Sequence, residues 1–181
     1  MSIGSDRIHD ALIVGSGAAG GAAAFHLAAA GHDVVVLERD TELRIKPCGG
    51  GMAASVQQWF PFSLEPAVEQ VIRQVDFSWC LNDPVIAELP GEAPFWIVRR
   101  ELLDQLLSEQ AIQAGAERIN GVDVDDVTRQ GDVWTVTSTD QRQWRGRSVV
   151  IADGSQSPWP QRLGLGAKQP QTATTLSLIH I

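Results

Sequence analysis

The chain has 181 residues, with 14 Lys and Arg against 22 Asp and Glu, four His, two Cys, 17 Gly, six Trp and no Tyr. A chain of this size buries roughly 70% of its unfolded surface, so one cored domain is expected and two are possible, and its 44% hydrophobic content argues against disorder. No apolar run approaches the roughly 20 residues of a membrane-spanning helix, and the formal charge of -8 argues against nucleic acid, which binds clustered Lys and Arg.

Cys48 and Cys80 are too few for a disulfide scaffold, and residues 1–10 are polar where a secretory leader would be basic and then apolar. Both point to a reducing cytoplasm.

In chain order, Ala11 to Val14 is a short apolar run that stops at Gly15, as expected of a strand buried on both faces. Residues 18–30 form an Ala-rich helix ended by Gly31, and Asp33 to Glu38 reads as a second buried strand closing on an acid. Strand, helix and strand within about 30 residues make a right-handed βαβ unit with parallel strands. Residues 39–51 are polar, then Pro- and Gly-rich, an ordered loop leading to a short helix near Met52 to Trp59.

Val71, Val75, Phe77 and Trp79 share a parity and one strand face. Asn82-Asp83-Pro84 reads as a turn, with Val85 to Leu89 returning antiparallel. Phe95 to Val98 follows as a further strand, and the whole stretch reads as an inserted β layer. Glu101 to Ala114 is a helix, with Leu102, Leu103, Leu106, Leu107 and Ala111 at helical spacing and Gly115 as its cap. Val122 to Thr128, Val133 to Ser138 and Gln143 to Arg147 suggest an antiparallel meander, and Ser148 to Ala152 returns to an apolar strand before Asp153-Gly154.

The fold class is therefore α/β: a Rossmann-like domain with a parallel sheet, a small meander and an inserted β layer. Its expected divisions are 1–70 for the βαβ unit and glycine-rich loop, 71–98 for the inserted layer and 99–170 for the continuation of the first domain.

Chemistry concentrates at Gly15-Ser16-Gly17-Ala18-Ala19-Gly20, a G-x-G-x-x-G at the join of the first strand and helix, with Glu38 about 20 residues on. Gly15 permits the tight turn, Gly17 lets a pyrophosphate approach the backbone, and Gly20 lets helix and strand pack closely. The helix N-terminus, at Ala18 and Ala19, supplies N–H donors and partial positive charge. Glu38 can accept hydrogen bonds from a ribose diol and would repel a 2'-phosphate, so FAD or NAD is favoured over NADP. A Gly/Ala turn kept only for packing is the bland alternative.

Four stretches together carry a family resemblance. They are the glycine turn with Glu38-Arg39, the loop Lys46-Pro47-Cys48-Gly49-Gly50-Gly51, the run Val98-Arg99-Arg100-Glu101-Leu102-Leu103-Asp104, and Val149-Val150-Ile151-Ala152-Asp153-Gly154. Over residues 10–166 the chain resembles the geranylgeranyl reductase family of FAD-dependent oxidoreductases, related in fold to flavoprotein aromatic hydroxylases.

The resemblance implies FAD as cofactor, NADPH or ferredoxin as electron donor, and an isoprenoid small-molecule substrate, with peripheral membrane contact through a lipidic substrate. It implies that Gly15, Gly17, Ala18, Ala19, Gly20, Glu38, Arg39, Cys48, Gly49, Gly50, Gly51, Arg100, Asp153 and Gly154 line the cofactor. Cys48 is the catalytic candidate, a proton donor to the alkene, because hydride delivered to one carbon requires a proton on the other. A small residue filling the loop is its alternative.

Arg100 sits in Arg-x-x-Leu-Asp spacing at a helix start, where a guanidinium can bridge phosphate or ring carbonyl oxygens, and Arg99 is the other candidate. Ser155 to Pro160 departs from the family pattern, which leaves that segment without an assigned role.

Other functions remain open at this level. A flavin monooxygenase acting on aromatic rings uses the same fold, and a non-catalytic nucleotide-binding module would keep it without turnover. His9, His26 and His32 lack partners at metal-ligand spacing, so no metal site is expected. Asp123, Asp125 and Asp126 read as a solvated strand face, Cys80 as core, and the six tryptophans as packing residues. Residues 171–181 lack structural pattern, and their close Leu-Ser-Leu-Ile-His-Ile resembles translated sequencing adaptor. The expectation is an N-terminal fragment, inactive alone and with an exposed sheet edge that limits solubility.

Overall fold

The computed structural model describes residues 7–41, 46, 48–92 and 94–165. In chain order its elements are β1 (Ile8–Val14), α1 (Ala18–Ala29), β2 (Val34–Glu38), β3 (Gly51–Ala53), a 3-10 turn (Ala54–Trp59), β4 (Val68–Ile72), β5 (Gln74–Trp79) and β6 (Asn82–Glu88). There follow β7 (Phe95–Val98), α2 (Arg100–Gln113), β8 (Glu117–Asn120), β9 (Val124–Gln130), β10 (Val133–Ser138), β11 (Gln143–Ile151) and a short α3 (Trp159–Arg162). The described residues fall into two compact units, 7–41 with 107–165 and 46–106, the division lying within α2.

The first unit is built on one six-stranded sheet, in the order β8-β2-β1-β11-β10-β9. β2, β1 and β11 run parallel, with Leu12 aligned to Val35 on one side and to Val149 on the other. The apolar runs of β1 and β2 are covered on both faces: Leu12, Ile13 and Val35 are fully buried. β11 is a single strand where the sequence suggested two. Gln143 to Gly146 pair antiparallel with β10 and Arg145 to Ile151 run parallel beside β1, so the meander and the parallel strands share one sheet. Polar Arg145 and Arg147 hide this continuity, and Gly146 between them is required by packing: a Cβ there would stand 2.8 Å from Leu12 Cγ.

The core gathers Leu12, Val14, Val35, Leu37, Val122, Val127 and Val136, with Trp159 packed into the same cluster. Trp159 gives the Ser155 to Pro160 segment a structural role, anchoring the chain after β11 against the sheet. β8, unanticipated in sequence, is an edge strand that pairs, among the described residues, with β2 alone, and its Glu-Arg-Ile-Asn carries no apolar run to announce it.

In the second unit β3, β7 and β4 form an antiparallel sheet and β5 with β6 a separate hairpin. Val71 belongs to β4, paired with β7, whereas Val75, Phe77 and Trp79 belong to β5, paired with β6. The hairpin turns at Cys80 and Leu81, whose φ of 50° and 62° fit a tight two-residue turn, so Asn82-Asp83-Pro84 lies in β6 instead. Cys80 is consequently exposed rather than core. Trp59 and Trp79, 65% and 77% exposed, are not packing residues. Met52 to Trp59 forms β3 and a 3-10 turn rather than an α-helix. The closing segment 171–181, with His180, and residues 42–45 and 47 of the loop lie outside the described residues.

Candidate functional site

The turn after β1 is set by two glycines that admit no side chain. Gly15 has φ +94°, and a Cβ on it would stand 2.6 Å from the Ala152 carbonyl oxygen and 2.8 Å from Asp153 Cα. A Cβ on Gly20 would stand 1.9 Å from the Gly15 carbonyl oxygen. The turn is thus closed over by the end of β11, and the Asp153 backbone lies against it. Gly17 is the N-cap of α1 with no capping side chain, and the first turn of α1 carries no acid. Its N–H groups and the helix dipole suit an anion.

Glu38 closes the same turn from β2. Its Oε2 accepts the Ser16 N–H at 2.6 Å and its Oε1 accepts the Asp40 N–H at 3.0 Å. A carboxylate offers about four lone-pair sites, so two backbone bonds orient Glu38 and leave acceptor capacity for a ribose diol. Arg39 is exposed and pairs with Asp40 at 3.6 Å. Asp153 and Gly154 are exposed, and Gly154 at φ +104° has nothing within 4 Å of a Cβ position. Ser16, which supplies the donor to Glu38, was not singled out in sequence; the intervening x of a glycine motif gives no signal.

The second unit brings its own group together. Gly50, at φ +69°, lies so close to β7 that a Cβ would stand 1.9 Å from the Val98 carbonyl oxygen, while Val98 N–H donates to Gly50 O at 2.9 Å. Gly51 pairs with Ile97. The glycine loop is therefore fastened alongside the strand that ends just before Arg99 and Arg100. Gly49 is half-buried between these fixed points and exposed Cys48.

Cys48 Sγ accepts the Gly50 N–H at 3.5 Å, and the Arg100 guanidinium is near enough to act on the thiol. That Gly50 bond, then the Arg100 hydrogen bond and charge, hold the thiol below its ordinary pKa, against partial burial and the Asp104 carboxylate.

Asp104 lies at the centre of the group. Arg100 Nε and Nη2 donate to its two oxygens at 3.2 and 3.3 Å, and Lys46 Nζ donates at 2.7 Å. Its side chain is 12% exposed. Arg99 turns instead to Glu101, at 2.6 and 2.8 Å. Of the two arginines offered by the sequence, Arg100 joins the Cys48 group and Arg99 does not. Lys46 and Asp104 appear in the family-like stretches but were not picked out as site residues; only the i,i+4 spacing from Arg100 to Asp104 hinted at a pair.

Residues 10–77 match the family model described as FAD dependent oxidoreductase. The chain is 33% identical over 172 residues to the probable electron transfer flavoprotein-quinone oxidoreductase YdiS of Escherichia coli K12, covering 89% of this chain and 40% of YdiS. It thus spans about 40% of the length of that curated relative. A geranylgeranyl bacteriochlorophyll reductase-like protein from Thermoplasma acidophilum superposes with a TM-score of 0.69 at 20% identity, over 82% of this chain and 40% of that one. Halogenase PltM in complex with phloroglucinol and FAD gives 0.70 at 18% identity, over 86% and 36%.

The fold is the Rossmann-like, FAD-binding fold of FAD-dependent oxidoreductases, and the motif at Gly15 to Gly20 lies within the matched segment. Among the described residues, no helix is long and apolar enough to cross a membrane, and no group of three or more His, Cys, Asp or Glu is placed to hold a metal ion.

Proposed function

We propose that this chain is the FAD-holding part of an oxidoreductase that reduces isoprenoid double bonds, with NADPH or ferredoxin as electron donor. When bound, the flavin supplies the hydride chemistry. In the first unit the N–H groups at Gly17, Ala18 and Ala19 bind the pyrophosphate, Glu38 orients the adenosine ribose, and the Asp153-Gly154 backbone borders the turn. In the second unit the loop Gly49 to Gly51 offers bare backbone to a flat ring. Cys48 carries at Sγ the proton that alkene reduction requires at the second carbon.

The observation that supports this reading is the Cys48 thiol, which accepts the Gly50 N–H and is held below its ordinary pKa by that bond and by Arg100. A buried filler residue would need neither partner, and Cys48 is exposed. The test uses the full-length gene product, reconstituted with FAD and reduced without oxygen. Addition of a geranylgeranyl compound should reoxidise the flavin, and Cys48→Ala should slow that step at least tenfold while leaving reduction by the donor unchanged. Flavin reoxidised by the polyprenyl compound at the same rate in both proteins would remove the Cys48 role.

A second reading is favoured by the 33% identity to YdiS, whose name makes it a probable electron transfer flavoprotein-quinone oxidoreductase. On that reading the acceptor is a quinone. Reoxidation by a soluble quinone, with no response to the geranylgeranyl compound, would select it.

A further inference from the structure

Lys46 and Asp104 stand 58 positions apart in sequence yet meet at 2.7 Å, one on the glycine loop and the other one turn into α2. The carboxylate they share with Arg100 is 12% exposed, and Arg100 is 24% exposed. A guanidinium is long and has many rotamers; two parallel bonds to one carboxylate leave it a single planar setting. Lys46 donates to Oδ2, the oxygen that Arg100 Nη2 also reaches, so the acceptor is itself fixed from a second element. Two cations on one carboxylate leave a net positive charge, and the Arg100 guanidinium so placed stands near enough to Cys48 to act on its thiol.

We propose that Asp104 is a positioning residue that ties Lys46 to Arg100 and thereby holds the Arg100 guanidinium against Cys48 Sγ. Its bearing on catalysis rests on the reading of Cys48 as proton donor; the positioning itself does not. Asp104 acts on the thiol in two opposed ways. Its negative charge disfavours the thiolate through space, while its hold on Arg100 favours it. Removing the charge therefore separates the two by sign.

The experiment measures alkylation of Cys48 by iodoacetamide across pH in the full 181-residue chain, without flavin, the modified peptide being identified by mass spectrometry. With Asp104→Asn the midpoint should move to higher pH, slowing alkylation at pH 7 roughly three- to tenfold. Asp104→Glu should restore most of the rate. In an Arg100→Gln background, Asp104→Asn should no longer slow the reaction. Arg100→Lys keeps the charge but cannot form the fork, and should move the midpoint in the same direction as Asp104→Asn.

Far-UV circular dichroism confirms folding, and if Asp104→Asn does not fold, Arg100→Lys decides. Faster or unchanged alkylation in the deciding variant overturns the proposal, as does slowing that persists when Arg100 is already gone. Because no flavin is present, failure here leaves the FAD reading intact, and failure of FAD binding leaves this result standing.

Discussion

Gly20 lies so close to Gly15 that a Cβ on the first would stand 1.9 Å from the carbonyl oxygen of the second. No side-chain movement relieves such a contact, because its partner is backbone. Gly20→Ala must push α1 away from the end of β1, and the turn that orients the first N–H groups of the helix opens with it. The expected cost is about 3 kcal/mol in urea unfolding, with loss of any FAD-induced change in the spectrum. A variant that unfolds at the wild-type denaturant midpoint would show the close approach to be dispensable.

Gly50 makes the corresponding contact in the second unit, 1.9 Å from the Val98 carbonyl oxygen at φ +69°. Gly50→Ala meets both a clash and a left-handed backbone that costs an L-residue about 1–2 kcal/mol. It should detach the loop from β7 and displace the Gly50 N–H from Cys48 Sγ. Hydrogen exchange at Val98, whose amide donates to Gly50, should rise at least tenfold.

Ser138 is fully buried, and its hydroxyl donates to Asp140 and accepts the Arg142 N–H at 3.2 Å. The Ser138 hydroxyl first, then Arg142, holds the Asp140 carboxyl below its ordinary value. A depressed carboxylate contributes stability that is present above its unfolded value and lost as pH falls through the folded one. Ser138→Ala should cost about 1–3 kcal/mol at neutral pH by leaving the Arg142 N–H unpaired. The difference from wild type should shrink below about pH 4, which a urea series across pH would show.

The Cys48 thiol, depressed by the Gly50 N–H and then by Arg100, follows the same sign rule. Its linked stability is fully present above the ordinary thiol value, roughly pH 8.5, and is lost as pH falls through the depressed value. Cys48→Ser should therefore differ more from wild type at pH 9 than at pH 6. At pH 7 iodoacetamide should modify Cys48 faster in the native chain than in urea, an inversion of the usual order.

The parts of the fold legible in sequence were those where one physical demand ruled a segment. β1 and β2 are buried on both faces, and their apolar runs said so. Gly15 and Gly20 sit where only glycine fits, and their spacing declared the turn. α2 announced itself through Leu103, Leu107 and Ala111, all buried. β8 was missed because an edge strand with one neighbour needs no apolar run. β11 was split in two because its pairing with β10 ends as its pairing with β1 takes over, and its polar residues Arg145 and Arg147 fall around that overlap. Asp104 was missed as a joining residue because its meeting with Lys46 is made by tertiary folding, and nothing in local spacing encodes it.

The central claim is that the Gly15 to Gly20 turn with Glu38 holds the adenosine diphosphate half of FAD. Titrating ADP, then FAD, into the 15N-labelled chain tests it most directly. The amides of Ser16, Gly17, Ala18 and Ala19 should shift with both ligands, and Glu38→Ala should weaken the response about tenfold. Saturating ligand that leaves those four amides unmoved, or moves only residues elsewhere, would contradict the account.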